Sequence, residues 1–322
     1  MVYILFIVAA AGTVFAAIKL SAYADVISEK SAIGGLMVGT ILLAGATSLP
    51  ELTSIVTAGL IENPDLAVGN VLGSNLYNLL ILAGADIAFR RRTMFSHARN
   101  SHVYTSLLVI CMSLIILASL LLEITWSVFG VSVDVLIICV VYGVGLYLIN
   151  KRTQASEPKE KKQAQSPQLS LRAAQVRFGI AAVVILIGGT ALTFLGDQIA
   201  VQTGLGSSFV GSFLIAGSTS LPEIAVVVAA LRLRQSDLAV GSIMGSNLFN
   251  LTLLLVGDVF YSPGPLLAAA SGANFISTIG IIVLSLLVIY AVKRKRSTYS
   301  LVPSFLVIGL YFACAYLIFQ AN

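Results

Sequence analysis

Residues 39–52 read GTILLAGATSLPEL, and residues 211–224, 172 positions later, read GSFLIAGSTSLPEI, identical at 9 of 14 positions without a gap. A second stretch, DLAVGNVLGSNLYNL at 65–79, returns at the same offset as DLAVGSIMGSNLFNL at 237–251, identical at 11 of 15. The repeat sets Glu51 against Glu223, Ser74 against Ser246 and Asn78 against Asn250. All of these polar residues stand inside apolar stretches. Carboxylates buried in membrane helices are costly and mark ion or proton pathways, and a repeat in a membrane protein places its site where the halves meet.

The composition agrees with a membrane setting. Of 322 residues 58% are hydrophobic and 10% charged, against about 25% charged in a soluble domain. Apolar runs long enough to cross the hydrocarbon core are expected at 1–28, 31–60, 65–88, 101–122, 128–149, 174–202, 206–231, 236–260, 272–292 and 299–320. The expected fold class is all-α integral membrane, with ten transmembrane helices as two inverted five-helix repeats. The first repeat spans 1–149, a linker 150–173, and the second repeat 174–322. The fifth span is weak at its start, where Asp134 falls.

Lys and Arg set the orientation, because basic residues are retained on the cytoplasmic side. Connections after spans 1, 3, 5, 7 and 9 carry Lys30; Arg90, Arg91, Arg92 and Arg99; Lys151 through Arg177; Arg232 and Arg234; and Lys293 through Arg296. The other connections carry none, and Lys19 stands within span one. Both termini are therefore expected outside a cell (plasma) membrane crossed many times, and an odd number of spans per repeat inverts one half relative to the other. The net charge of +5 belongs to this inner rim, so no nucleic-acid partner is expected. The linker, NKRTQASEPKEKKQAQSPQLSLRA, reads as a flexible cytoplasmic tether. Cys111, Cys139 and Cys314 lie in apolar spans without CxxC spacing and read as packing residues. The first apolar stretch lacks a basic leader and reads as span one, not a cleaved signal.

Each TSLPE motif places a proline in a helix interior, where it lacks an N–H and crowds the carbonyl four residues back. Pro50 thus frees the carbonyl of Ala46, and Pro222 that of Ser218. Irregular backbone at membrane depth is tolerated where protein or a water-filled cavity surrounds it, and a bound cation would also satisfy it. Thr47 and Glu51, Thr219 and Glu223, Ser74 and Asn78, and Ser246 and Asn250 are each four apart, which stacks each pair on one helical face. Gly69 with Gly73, and Gly241 with Gly245, have the small-xxx-small spacing that lets helices approach closely. Carboxylate, amide, hydroxyl and carbonyl oxygens suit hard cations such as calcium, sodium or magnesium. Asp25, Asp65, Asp86, Asp134, Asp197, Asp237 and Asp258 lie near expected helix ends and read as capping or interfacial residues.

On GATSLPE with GSNLYN and GSTSLPE with GSNLFN, the chain resembles the calcium/cation antiporter superfamily, in its prokaryotic sodium/calcium exchanger branch. The resemblance covers the whole length. It implies an antiporter that uses a sodium gradient to expel calcium, with Ca²⁺ and Na⁺ as substrates, no cofactor and no obligate protein partner beyond the membrane lipids. It also implies a mid-membrane ligand set. Glu51 and Glu223 would be bridging carboxylates; Thr47, Ser48, Ser74, Thr219, Ser220 and Ser246 would offer side-chain or backbone oxygens. Ala44 and Ala216 would offer carbonyls, and Asn78 with Asn250 would complete the cluster. Some relatives carry Asp where Asn250 stands, so potassium dependence is put in doubt. Cation/proton exchange within the same superfamily is the alternative.

Other classes fit less well. An intramembrane protease needs a Ser–His pair or two catalytic aspartates within the spans, whereas His97 and His102 flank the inner end of span four and no GxGD motif is present. The chain is therefore not expected to be an enzyme. A channel could use the same ligands, but conduction requires binding weak enough for rapid exit, and a duplicated multidentate site favours a carrier.

Overall fold

The computed structural model describes residues 1–30, 47–89, 94–97, 101–154, 169–232, 235–294 and 301–321. The long helices are α1 (Val2–Lys30), α2 (Leu49–Leu60), α3 (Pro64–Ala88), α4 (Ser101–Leu122), α5 (Val133–Gln154), α6 (Leu171–Thr203), α7 (Ser207–Thr219), α8 (Leu221–Arg232) and α9 (Ser236–Phe260). A short α10 (Leu266–Ala269) precedes α11 (Ala273–Lys293) and α12 (Val302–Ala321). Eight helices among the described residues are long and apolar enough to cross a membrane, and α7 with α8 forms a ninth span bent by 43°. Span two of the sequence reading is described from Thr47 onward. The architecture is the ten-helix inverted repeat, with α1, α2, α3, α4 and α5 equivalent to α6, α8, α9, α11 and α12.

Helix ends follow local chemistry. Asn63 caps α3 by accepting from Leu66 N at 3.0 Å, with Pro64 at the first helical position, where its missing N–H costs nothing. Ser170 caps α6 in the same way, and α6 stops at Gly204, whose φ of 71° suits glycine. One boundary differs from expectation. Span five was expected from 128, but Ser127–Val128 (β1) pairs antiparallel with Val131–Ser132 (β2) through a two-residue turn. Phe129 and Gly130 both have positive φ there, as a hairpin turn of this twist requires. The helix begins only at Val133, with Asp134 in its first turn accepting from Val135 N at 2.7 Å.

The two GSN helices lie at the centre. The apolar windows of α3 and α9 are 89% and 61% buried, against at most 44% for α1, α4, α5, α6, α11 and α12, which form the outer shell, while α2 packs inside with most of its residues buried. The first helices of the halves pack along each other, with Ala17, Leu20 and Ala24 of α1 against Ala181 and Ile185 of α6. Tyr3, Ile7, Phe15, Leu114, Ile187, Phe312 and Tyr316 point outward, an apolar surface suited to lipid. Lys19 is also on this surface, its ammonium 5.5 Å from the Phe15 ring centroid. Cys111 is exposed there as well and does not pack, while Cys139 and Cys314 are half-buried.

The expected close approach is seen in the first half. A Cβ added at Gly69 would meet the Ser208 carbonyl at 2.9 Å, and one at Gly73 would overlap the Ser212 backbone. On the facing helix, a Cβ at Gly211 would meet the Leu66 carbonyl at 2.8 Å. Gly241 abuts His102 instead, and Gly245 has no described atom within 4 Å. The repeat equivalents of Ser208 and Ser212 are Leu36 and Thr40, which lie outside the described residues.

Candidate cation-binding site

Both TSLPE motifs leave helical geometry at the same residue: Ser48, just before α2, has φ −92°, ψ 9°, and Ser220, between α7 and α8, has φ −86°, ψ 2°. These are bridge-region values, tolerated where the helix is interrupted. The following Pro50 and Pro222 cannot donate, so the chain restarts one residue before each proline. Upstream of Ser220 the turn over Val210–Ile215 is π-helical, a wide turn that recurs at functional sites. There Ser212 donates to the Gly69 carbonyl at 3.1 Å, fastening α7 to α3.

The restart buries Glu51 and Glu223 completely or nearly so, at 0% and 1% exposure. Thr47, Ser48, Ser74, Asn78, Ala216, Thr219, Ser220, Ser246 and Asn250 are all buried too. The two halves meet at Glu51, whose Oε1 accepts from Ser220 Oγ at 3.4 Å. No Lys, Arg or His is bonded to either carboxylate among the described residues. The Ala216 carbonyl accepts from Ser220 N at 3.0 Å and Thr219 Oγ1 at 3.2 Å, so its lone pairs are engaged within its own helix. Ala44 lies outside the described residues, as does Ala46, whose carbonyl Pro50 was expected to free.

Several buried oxygens have no hydrogen-bond partner among the described residues: Ser48 Oγ, Glu51 Oε2, Ser74 Oγ, Asn78 Oδ1, both carboxylate oxygens of Glu223, and Asn250 Oδ1. Each such atom in an apolar interior costs on the order of 1–3 kcal/mol or more, highest when charged. Oxygens of this kind match a hard monovalent or divalent cation. The donors brought together are carboxylate, amide and hydroxyl oxygens, a hard-ligand set.

Two residues absent from the expected ligand set prove central to the geometry. Asn75 on α3 and Asn247 on α9 exchange side-chain-to-backbone bonds where these helices cross, and Asn78 Nδ2 donates to Asn247 Oδ1 at 2.9 Å. The four-residue face rule picks out Ser74 with Asn78, whereas Asn75 lies three residues from Asn78, the other spacing that shares a face. Of the aspartates expected to cap or face solvent, Asp134 does cap. The others with described side chains bridge elements instead. Asp65 accepts from Ser271 N and Asn274, Asp86 from Ser304, Asp197 from Asn63, Asp258 from Ser132 N and Leu266 N, and Asp237 pairs with His102. A helix-end carboxylate has two oxygens, and packing brings N–H and O–H groups of neighbouring elements within reach of them.

The chain is 29% identical over 252 residues to Inner membrane protein YrbG of Escherichia coli strain K12, an alignment covering 78% of this chain and 77% of that one. Among solved structures it resembles the H⁺/Ca²⁺ exchanger CAX with a TM-score of 0.74 at 16% identity, over 99% of this chain and 85% of that one. It resembles the sodium-calcium exchanger NCX_Mj with a TM-score of 0.59 at 20% identity, over 97% and 98%. At these identities the likeness is one of fold. The family model described as sodium/calcium exchanger protein matches residues 1–151 and 174–320. Because these segments take in both repeats and leave out little more than the linker, the chain as a whole belongs to the sodium/calcium exchanger protein family, within the calcium/cation antiporter superfamily.

Proposed function

We propose that this protein is a secondary-active antiporter that exchanges Na⁺ for Ca²⁺ by alternating access, exporting Ca²⁺. One observation carries the reading: two buried carboxylates, one from each half, stand without a basic partner, among buried oxygens that have no donor, within the described residues. Glu51 and Glu223 bridge the ion in this reading. Thr47, Ser48, Ser74, Thr219, Ser220, Ser246, Asn78 and Asn250 supply side-chain or backbone oxygens, and Ala44 and Ala216 supply carbonyls in the conformations that release them. Two negative charges are balanced by one Ca²⁺ or two Na⁺, so a third sodium would cross as net charge and make exchange electrogenic. Both termini lie on the outer face of the plasma membrane, since the Lys- and Arg-bearing connections share the inner one.

The test is ⁴⁵Ca²⁺ uptake into proteoliposomes under imposed Na⁺, K⁺ or H⁺ gradients. An outward Na⁺ gradient is expected to drive uptake, and a K⁺ gradient alone is not. Uptake that follows the proton gradient and ignores sodium would replace Na⁺ with H⁺ as the coupling ion. Uptake without any counter-ion would indicate a channel.

A further inference from the structure

Four asparagines meet where α3 and α9 cross: Asn75 and Asn78 on one, and their repeat equivalents Asn247 and Asn250 on the other. All four are at 0% exposure. Two of their hydrogen bonds obey the repeat symmetry. Asn75 Nδ2 donates to the Asn247 carbonyl at 3.1 Å, and Asn247 Nδ2 donates to the Asn75 carbonyl at 3.3 Å. These bonds clamp the helices at their crossing and leave each side-chain oxygen available.

The third bond breaks the symmetry. Asn78 Nδ2 donates to Asn247 Oδ1 at 2.9 Å, which holds the Asn78 carboxamide by its nitrogen and leaves its Oδ1 without a partner among the described residues. The image of this bond would run from Asn250 Nδ2 to Asn75 Oδ1. Both of those atoms are buried and have no partner among the described residues. The sequence thus supplies donor and acceptor for two equivalent bonds, and this conformation makes one of them. One bond is closed and one pair is left open both before and after the exchange, so a motion that opens one bond while closing the other would be nearly neutral in energy. In an inverted repeat the two access states are near mirror images, and a bond made in one half in one state has its counterpart in the other half in the other state.

We propose that Asn75 and Asn247 are positioning residues that act in turn. Asn247 orients the Asn78 carboxamide oxygen in the present conformation, and Asn75 orients that of Asn250 in the conformation open to the opposite side. The inference rests on the antiporter reading. Packing alone would need only the symmetric clamp.

Because each asparagine makes one clamp bond and offers one acceptor, Asn75→Ala and Asn247→Ala remove equivalent structural contacts. A purely structural role therefore moves both variants alike, and the proposal requires opposite shifts. The reporters are Asn70→Cys on α3 and Ser242→Cys on α9, equivalent positions in the two halves, each in a chain with its three native cysteines replaced. A membrane-impermeant maleimide is applied from each side of sealed vesicles, with Na⁺ or Ca²⁺ present. Asn247→Ala is expected to change the ratio of the two labelling rates about fivefold in one direction, and Asn75→Ala by a similar factor in the other, as loss of one buried hydrogen bond would. Shifts of the same sign, or none in either variant, would overturn the proposal. If the reporter chains with both asparagines intact show no change in labelling between Na⁺ and Ca²⁺, the antiporter reading itself fails and takes this inference with it. Should the alanine forms not accumulate, Asn75→Ser and Asn247→Ser, which keep a donor, carry the same comparison.

Discussion

Ser304 donates its hydroxyl to Asp86 Oδ2 at 2.6 Å, tying α12 to α3 across the two halves. Their repeat equivalents are Ser132 and Asp258, and there the Ser132 N–H donates to Asp258 Oδ2 at 2.7 Å. A second matched set joins Asp65 to Asn274 at 3.1 Å and Asp237 to His102 at 2.7 Å. The halves are thus laced together by carboxylates at helix ends, a separate set from the buried pair Glu51 and Glu223.

Ser304→Ala should lower the stability of the purified protein by about 1.5–3 kcal/mol, the range for a hydrogen bond to a charged group. Thermal unfolding in detergent measures the loss, and calcium binding by titration should be nearly unchanged. A matching fall in calcium affinity would show that Asp86 acts on the site and is not only a tie.

Glu51→Gln and Glu223→Gln should each reduce exchange by about 100-fold or more while the protein still inserts and purifies. Each change removes a carboxylate that a divalent ion needs at close range, and at 0% and 1% exposure neither has solvent to stand in for it. Near-normal ⁴⁵Ca²⁺ flux in either variant would remove that glutamate from the site.

Asn250→Asp adds a third negative charge to a buried cluster. Calcium should be held more tightly and released more slowly, lowering turnover, since a carrier must let go of what it binds. Equilibrium binding and transport rate together check this. If neither these nor sodium affinity moves, the side chain does not face the ions.

Gly73→Ala should disrupt folding or transport, because the new methyl would overlap the Ser212 backbone, which cannot swing aside as a side chain could. Gly84→Ala on the same helix meets no described atom within 4 Å and should be neutral or stabilising by up to about 1 kcal/mol. Expression and melting temperature of the pair separate a steric effect from a general intolerance of α3. Equal loss in both would point to the latter.

Topology is checked by single cysteines in a background lacking Cys111, Cys139 and Cys314. Ser156→Cys in the linker should react only with reagents that reach the cytoplasm, and Ser262→Cys, exposed between α9 and α10, only with reagents outside. This follows from the basic residues that crowd the first connection and are absent from the second. Labelling of both from one side would upset the proposed orientation.

Helix number, the repeat and its 172-residue offset, and the pair Glu51 and Glu223 were legible in the sequence by itself, because hydropathy and repetition are local properties that need no knowledge of partners. Pro50 and Pro222 likewise located the breaks, which fall at Ser48 and Ser220 because the missing donor is felt just upstream. The hairpin at 127–132 was not legible: its residues are apolar enough to extend a helix, and only the positive φ at Phe129 and Gly130 separates them from one. Nor could the sequence reveal that Asp86 meets Ser304, that Ser220 of one half bonds Glu51 of the other, or that Asn247 holds Asn78 while Asn75 leaves Asn250 unheld. A repeat makes equivalent residues equal in sequence. Which of two equivalent hydrogen bonds is closed depends on how the halves are packed, and that is decided only when α3 and α9 cross.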